Sequence, residues 1–204
     1  MTTTIRLAGC DLPTAHGHFQ LHVFGPENGR EEVLAAVHRP QPADQQIPLV
    51  RMHSACATGD LLGSLKCDCG PQLATSLHMI GASDYGILLY LLRHEGRGIG
   101  LAAKIRAYTL MDQGYDTVAA NAAVNAPADA RDYRPAAYAL TWLGVTSVHL
   151  ATNNPHKIDA LRTAEIAVDR VPLSGFVTPA NRDYLHQKDT LLGHLNSSGA
   201  TTNS

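Results

Sequence analysis

The stretch YGILLYLLRHEGRGIGLAAKIRAYTLMDQG occupies residues 85–114 and decides the fold. Its first eight residues form an apolar run, which is typical of a strand buried on both faces of a sheet. The glycine-rich segment EGRGIG follows. A helical pattern then begins, with Leu101, Ile105 and Tyr108 at i, i+4 and i+7, and ends before Gly114. A buried strand that leads through a glycine turn into a helix is the unit from which α/β folds are built.

The same alternation continues on both sides of this stretch. It predicts strands at 47–54, 145–152 and 166–173, and helices at 71–82, 134–144 and 154–164. Residues 1–50 predict a β-rich lead-in, whose strands HFQLHVFG (18–25) and EVLAAVHR (32–39) flank a turn. We therefore expect a mixed α/β (α+β) fold in a single compact domain, with this lead-in before an alternating strand and helix core.

Composition limits the classes of function. The 204 residues include 16 basic and 18 acidic side chains, a net charge of −2 that offers no bulk attraction to nucleic acid or anionic membrane. The N-terminal sequence shows no targeting signal, and no apolar run reaches the roughly 18 residues that span a bilayer. We expect a cytoplasmic protein without nucleic-acid or membrane partners, with a disordered tail at 196–204 because that segment is small and polar.

Three of the four cysteines lie in the segment RMHSACATGDLLGSLKCDCG, residues 51–70. Cys56, Cys67 and Cys69 have the spacing C-x10-C-x-C. In a reducing compartment such a cluster is typical of metal or catalytic chemistry. Three thiolates would leave one position of a tetrahedral zinc open, as catalytic zinc requires.

Two other interpretations of this cluster stay open. His53 or His78 would complete a structural zinc site, or the thiols would be unrelated. Asp60 and Asp68 lie between the thiols and could support them, whereas Cys10 lies in an irregular part of the lead-in and is expected to be a free thiol.

Three loops have the composition of anion sites. In 95–100, glycine backbone N–H groups could approach an anion at a helix N-terminus, Arg97 could contact phosphate, and Glu95 could accept from a guanine-like edge. In TNNPHK (152–157), Asn154 is a helix N-cap, and Thr152 and Lys157 face the same strand end. PADARDY (127–133) crowds charges together. Taken singly, each loop also has a purely structural interpretation: a strand-to-helix turn for 95–100, a capped helix for 152–157 and a surface ion-pair loop for 127–133.

Together and in this order, the motifs RMHSACATGDLLGSLKCDCGPQL, EGRGIGLAAKIRAYTLMDQGYDT, ADARDY, LGV and TNNPHK closely resemble GTP cyclohydrolase II. The resemblance runs from about residue 11 to residue 195 and implies one catalytic domain over 1–195. It implies a hydrolase that opens the imidazole ring of GTP at C8 and releases formate and pyrophosphate, in the first step of riboflavin synthesis. It also implies one Zn²⁺, Mg²⁺ with the triphosphate, and a homodimer.

The resemblance also implies the site residues. The zinc ligands are Cys56, Cys67 and Cys69. Asp129 is the proton acceptor, Arg131 is the nucleophile toward the α-phosphate, and Tyr108 lies near the reacting ring. Because an arginine pKa is above 12, electrostatic stabilisation is a competing role for Arg131, and a core aromatic is one for Tyr108. The implied GTP contacts are Arg51, Met52, His53, Ser54, Gln72, Glu95, Gly96, Arg97, Thr117, Thr152 and Lys157.

Two segments depart from the family pattern. Ala55 stands where the family usually has a glutamate before the first zinc ligand, and residues 122–126 differ from the usual sequence. The departures leave two alternatives. One is a paralogue of secondary metabolism that acts on a purine nucleotide without releasing formate, and the other is a non-catalytic nucleotide-binding protein with structural zinc.

Overall fold

A seven-stranded mixed sheet forms the centre of the protein, seen in a computed structural model that describes residues 3–41, 45–115, 119–120, 123–124, 127, 129–173, 176 and 181. The strands are β1 (Thr4–Thr14), β2 (Gly17–Pro26), β3 (Val33–His38), β4 (Leu49–Ser54), β5 (Gly86–Leu91), β6 (Ser147–Ala151) and β7 (Ala167–Val171). They lie in the order β1-β2-β3-β5-β4-β6-β7.

The sheet changes character at β5. Strands β1, β2, β3 and β5 pair antiparallel, and short turns join β1 to β2 and β2 to β3. Strands β5, β4, β6 and β7 pair parallel, because helices connect them. The carboxyl ends of β4, β5 and β6 therefore meet at one edge of the sheet.

Helices cover both faces of the sheet. The helices of the described residues are α1 (Ala57–Asp60), α2 (Cys69–Gly81), α3 (Leu101–Asp112), α4 (Arg134–Trp142) and α5 (Pro155–Thr163), with a 3-10 segment at Leu92–Gly98. On one face, α4 and α5 pack Leu140 and Leu161 against strand residues such as Met52 and Leu89, all fully buried. On the other face, α2 packs Ile80 against Phe19 and Leu88. Among the described residues, no helix combines the length and apolar character that a membrane crossing requires.

The predicted mixed α/β class and its strands and helices are confirmed, with two corrections. Cys10 lies in β1, a regular strand, rather than in an irregular lead-in, although it is an exposed free thiol as expected. The apolar face predicted for α3 is not buried: Leu101 and Ile105 are 45% and 44% exposed, and the buried residues are Lys104 and Ala107.

Candidate active site

The candidate site lies at the edge where parallel strands β4, β5 and β6 end. The thiol segment follows β4, the glycine segment follows β5, and the segment Thr152–Lys157 follows β6. Ligands of open α/β sheets bind outside the carboxyl ends of the strands, so the fold brings these three segments to such a position.

The three thiols form one cluster. The sulfur atoms of Cys56, Cys67 and Cys69 all lie within 4.8 Å of one another, and those of Cys56 and Cys67 are 3.7 Å apart. Neither His53 nor His78 belongs to this group of potential ligand atoms, which was found among the described residues. A fourth ligand from those histidines is thus not part of the cluster.

The backbone at Gly59 packs directly against these sulfurs. A Cβ on Gly59 would lie 2.9 Å from the Cys67 sulfur and 3.2 Å from the Cys56 sulfur, so only glycine fits here. Clustered thiolates are ligands that zinc prefers, and the donor set fits that metal. The cluster has the form expected of a three-thiolate zinc centre.

Asp60 ties the thiol segment to the sheet. Its carboxylate accepts hydrogen bonds from the backbone N–H of Cys56 at 3.0 Å, from Tyr90 Oη at 2.8 Å and from His53 Nε2 at 3.0 Å. The His53 and Tyr90 rings are cross-strand neighbours and stack, with centroids 5.6 Å apart. Burial is the main cause that lowers the pKa of His53, so its ring is neutral and donates from Nε2.

Arg51 and Gln72 are brought together below the cluster. Arg51 donates to Gln72 Oε1 at 2.6 Å and to the Ala151 carbonyl at 3.0 Å, and Gln72 donates in turn to Asp68. Burial lowers the pKa of Arg51 to about 10, which still leaves it charged at neutral pH. These contacts join β4, α2 and β6 around one buried cation.

Sequence reasoning missed a second network, which orients Ser54. His94 Nε2 lies 2.9 Å from the Asp132 carbonyl, so it donates there, and Nδ1 accepts from the Ser54 hydroxyl at 3.2 Å. The His94 ring meets Tyr133 edge-on at 5.0 Å. Burial, as the largest cause, lowers the pKa of His94 to about 4, and the ring is therefore neutral near pH 7. A lone histidine beside a glycine segment carries no sequence signal for this role.

The glycine segment packs against the loop that carries Asp129 and Arg131. Gly96, Arg97 and Gly98 have φ of 60°, 62° and 90°, and the Arg97 carbonyl accepts from Ala130 N–H at 2.9 Å. A Cβ on Gly98 would lie 2.8 Å from the Ala130 carbonyl carbon, so the two backbones touch. This contact places the predicted phosphate loop beside the loop of the predicted catalytic residues Asp129 and Arg131.

Asp129 and Arg131 form a local ion pair. Arg131 donates to Asp129 from Nε at 2.8 Å and from its backbone N–H at 3.0 Å. Burial acts to raise the pKa of Asp129, but the hydrogen bonds and charge of Arg131 outweigh it and lower that pKa below its usual value. Asp129 is thus ionised at neutral pH.

The helix that follows β6 is anchored as predicted. Asn154 caps α5 by accepting from His156 N–H at 3.0 Å, and the Lys157 ammonium donates to the Met52 carbonyl at 2.6 Å. The Thr152 hydroxyl accepts from Asn154 N–H at 3.1 Å. The Met52 side chain is fully buried in the hydrophobic core, so only its backbone faces this edge.

Tyr108 and Glu95 lie on the α3 side of the cluster. The Tyr108 ring has the Lys66 ammonium 5.0 Å and the Lys104 ammonium 5.8 Å from its centroid. Glu95 accepts from Ala57 N–H at 2.6 Å, next in sequence to Cys56. Thr117, a predicted GTP contact, and the predicted tail at 196–204 lie outside the described residues.

Comparison with known proteins shows which family the chain resembles. The family model for GTP cyclohydrolase II matches residues 5–172. Proteins named GTP cyclohydrolase-2 from Neisseria meningitidis and Neisseria gonorrhoeae are each 49% identical over 192 residues, which is 94% of this chain and 96% of theirs. A GTP cyclohydrolase-2 from Acinetobacter baumannii is 49% identical over 191 residues, covering 93% of this chain and 94% of its own.

Among solved structures, a two-domain 3,4-dihydroxy-2-butanone 4-phosphate synthase from A. baumannii is similar with a TM-score of 0.46 and 19% identity, over 85% of this chain and 41% of its own. The family match spans most of the chain and includes the thiol, glycine and Asp129 segments described above. The chain therefore belongs to the GTP cyclohydrolase II family.

Proposed function

We propose that this protein is a zinc-dependent GTP cyclohydrolase II. It opens the imidazole ring of GTP and releases formate and pyrophosphate, giving 2,5-diamino-6-(5-phosphoribosylamino)pyrimidin-4-one for riboflavin synthesis. The observation that carries the proposal is the group of three thiols at the strand edge, to which no described histidine or carboxylate adds a fourth ligand. The family and the relatives' names support the same activity.

Cys56, Cys67 and Cys69 would hold one Zn²⁺. When bound, the ion would act as a Lewis acid that lowers the pKa of a bound water to about 7 and polarises a carbonyl oxygen. Asp60 holds the loop that carries Cys56, since it accepts from the Cys56 N–H at 3.0 Å. The ring of the purine would lie over the cluster, with Tyr108 at its side.

Asp129 and Arg131 would serve the proton and phosphate steps. Asp129 is held as a carboxylate by its ion pair, which is the ionisation state that the proposed proton acceptor requires. Arg131 carries a fixed positive charge and fork-like donors, which suits electrostatic stabilisation of the α-phosphate better than nucleophilic attack. The Arg131 side chain is 10% exposed, a setting in which its charge acts strongly.

The triphosphate would lie along the glycine segment. Gly96, Arg97 and Gly98 form a left-handed turn immediately before α3, where backbone N–H groups and the Arg97 side chain could contact phosphate, and Mg²⁺ with the triphosphate would offset its charge. The other proposed GTP contacts are Arg51, Met52, His53, Ser54, Gln72, Glu95, Thr117, Thr152 and Lys157. Of these, Ser54 is oriented by His94, and Met52 contributes only its backbone.

The remaining proposals concern the whole protein: one catalytic domain over 1–195, a cytoplasmic location and a homodimer. Support for association comes from apolar side chains that stand in solvent, where Leu61, Leu62 and Leu65 are 80%, 81% and 66% exposed. Such a patch is typical of a surface that another protein covers.

The test is to incubate the zinc-loaded protein with GTP and Mg²⁺ and to quantify formate and pyrophosphate. We expect both products in equal amounts. Pyrophosphate without formate would indicate the paralogue with an altered product, and neither product would indicate a nucleotide-binding protein without this activity.

A further inference from the structure

Lys104 lies against the thiol cluster from the α3 side. Its ammonium donates to the Cys56 sulfur at 3.1 Å and to Glu95 Oε1 at 2.8 Å. The Lys104 side chain is 11% exposed and that of Glu95 14%. A lysine at the centre of the buried face of a helix is unusual, because burying an ammonium is costly unless charged partners compensate for it.

Glu95 makes the lysine part of a bridge between two loops. Its other oxygen accepts from Ala57 N–H at 2.6 Å, and Oε1 also accepts from Gly96 N–H at 3.1 Å. Ala57 follows the ligand Cys56, whereas Gly96 begins the glycine segment. One ion pair therefore holds the metal loop, the phosphate loop and α3 in a fixed relation.

The contact with sulfur has an electronic consequence. A charge-assisted N–H···S hydrogen bond withdraws electron density from a thiolate and reduces what the thiolate donates to a metal. Three thiolates around Zn²⁺ carry a net charge of −1, which the Lys104 ammonium offsets. A less negative centre is a stronger Lewis acid, so the lysine would favour activation of water.

We propose that Lys104 is a positioning residue that acts through Cys56: its ammonium fixes the sulfur of this ligand and lowers the electron donation of the sulfur to the metal, while Glu95 fixes the lysine. The inference rests on the proposed zinc site and extends it to a residue outside the ligand set. It concerns the metal centre itself and is therefore measurable without substrate.

The test replaces zinc by Co²⁺, whose thiolate charge-transfer absorption reports on the sulfur ligands. In Lys104→Met, we expect the band to move to longer wavelength, because the sulfur lone pairs rise in energy when the hydrogen bond is lost. Metal affinity, measured by competition with a chromophoric chelator, should fall about 10–100-fold, because the loss of the contact that orients the Cys56 sulfur outweighs the stronger donation of the freed sulfur. Lys104→Arg keeps a cationic donor and should hold the band nearer to its wild-type position.

The matched control is Arg106→Met, which removes a cation from the exposed side of the same helix and should leave both readouts unchanged. If Lys104→Met does not fold, as judged by circular dichroism, Lys104→Gln provides the same comparison with a smaller change. Band position and metal affinity equal to wild type in a folded Lys104 variant without the cation would overturn the proposal. Absence of any thiolate band in the wild type would instead refute the metal site itself.

Discussion

At the scale of single residues, Cys67 and Cys10 offer a direct comparison of two thiols. Cys67 is buried in the cluster, 3.7 Å from the Cys56 sulfur, whereas Cys10 is exposed on β1. We expect Cys67→Ser to abolish formate release and to lower bound zinc well below one per chain, because a hydroxyl is a poor zinc ligand. Metal analysis and a formate assay measure the two effects. Cys10→Ser should change neither, and full activity in Cys67→Ser would refute the assigned metal role.

Arg131 has an equally close control in Arg134. Both arginines pair with an aspartate two residues earlier, but the Arg131 side chain is 10% exposed and that of Arg134 is 77% exposed. We expect Arg131→Ala to keep its zinc and to lose about 10²–10³-fold in the rate of pyrophosphate release, as loss of a preorganised charge usually costs. Arg134→Ala should retain nearly full activity. Equal loss in both variants would mean that Arg131 has no special role.

The spacing of the cysteines predicted the thiol cluster but not the contacts that hold it. The spacing of Cys56, Cys67 and Cys69 indicated a metal site, and the thiols do cluster. The tie through Lys104 was hidden, because Lys104 lies 48 positions after Cys56 and a lysine in a helix normally indicates solvent. Only the tertiary fold brings Lys104 and Cys56 together.

At the scale of elements, α3 shows where a periodic pattern misleads. Leu101 and Ile105 formed the apolar stripe of the sequence, yet both are exposed, and Lys104 and Ala107 face inward. The pattern counts apolar side chains and cannot anticipate that Glu95 and a thiol stabilise a buried ammonium. The helix was correctly predicted, whereas its buried face was determined by the site.

The contact between the glycine segment and the Asp129 loop is an element-scale prediction. Gly98→Ala would combine a φ of 90° with a Cβ 2.8 Å from the Ala130 carbonyl carbon. We expect the glycine segment to shift and the KM for GTP to rise about tenfold or more, since strain of about 1–2 kcal/mol falls on the nucleotide-binding conformation. Zinc content should be unchanged.

Steady-state kinetics measure this effect, and Gly114→Ala is the control. Gly114 also has a positive φ, 96°, but a Cβ there would meet no atom of the described structure within 4 Å. Gly114→Ala should have a somewhat lower free energy of unfolding and an unchanged KM for GTP. A normal KM in Gly98→Ala would show that the packing of the two loops does not shape the nucleotide site.

At the scale of the whole molecule, the elements follow from the sequence but their arrangement does not. The predicted strands at 18–25, 32–39 and 47–54 all exist as β2, β3 and β4. However, β5 lies between β3 and β4 in the sheet, and β1 forms an edge that the sequence left irregular. Strand order depends on contacts between residues far apart in the chain, which local periodicity does not encode.

Global stability should depend on the charge of His94. Its pKa is about 4 in the folded protein against 6.5 in the unfolded chain, since burial disfavours the cation. As the pH falls, the histidine is protonated in the unfolded chain before it is protonated in the folded protein. The stability that the neutral His94 ring contributes is therefore fully present above pH 6.5 and is lost as the pH falls toward 4. The loss is on the order of 3 kcal/mol. Urea unfolding at a series of pH values measures it.

His94→Gln is the comparison, because glutamine cannot titrate. As the pH falls from 7 to 4, the free energy of unfolding of the wild type should decrease relative to that of the variant. A difference that stays constant over this range would show that His94 does not titrate as its burial implies.

X-ray absorption at the zinc edge of the zinc-loaded protein shows directly whether three thiolates hold an open metal site. We expect three sulfur neighbours at about 2.3 Å and one lighter, exchangeable oxygen neighbour. Loss of one sulfur neighbour in Cys69→Ser would confirm the assignment of the ligands. A shell completed by a fourth protein ligand, or protein that opens GTP with no zinc bound, would contradict it.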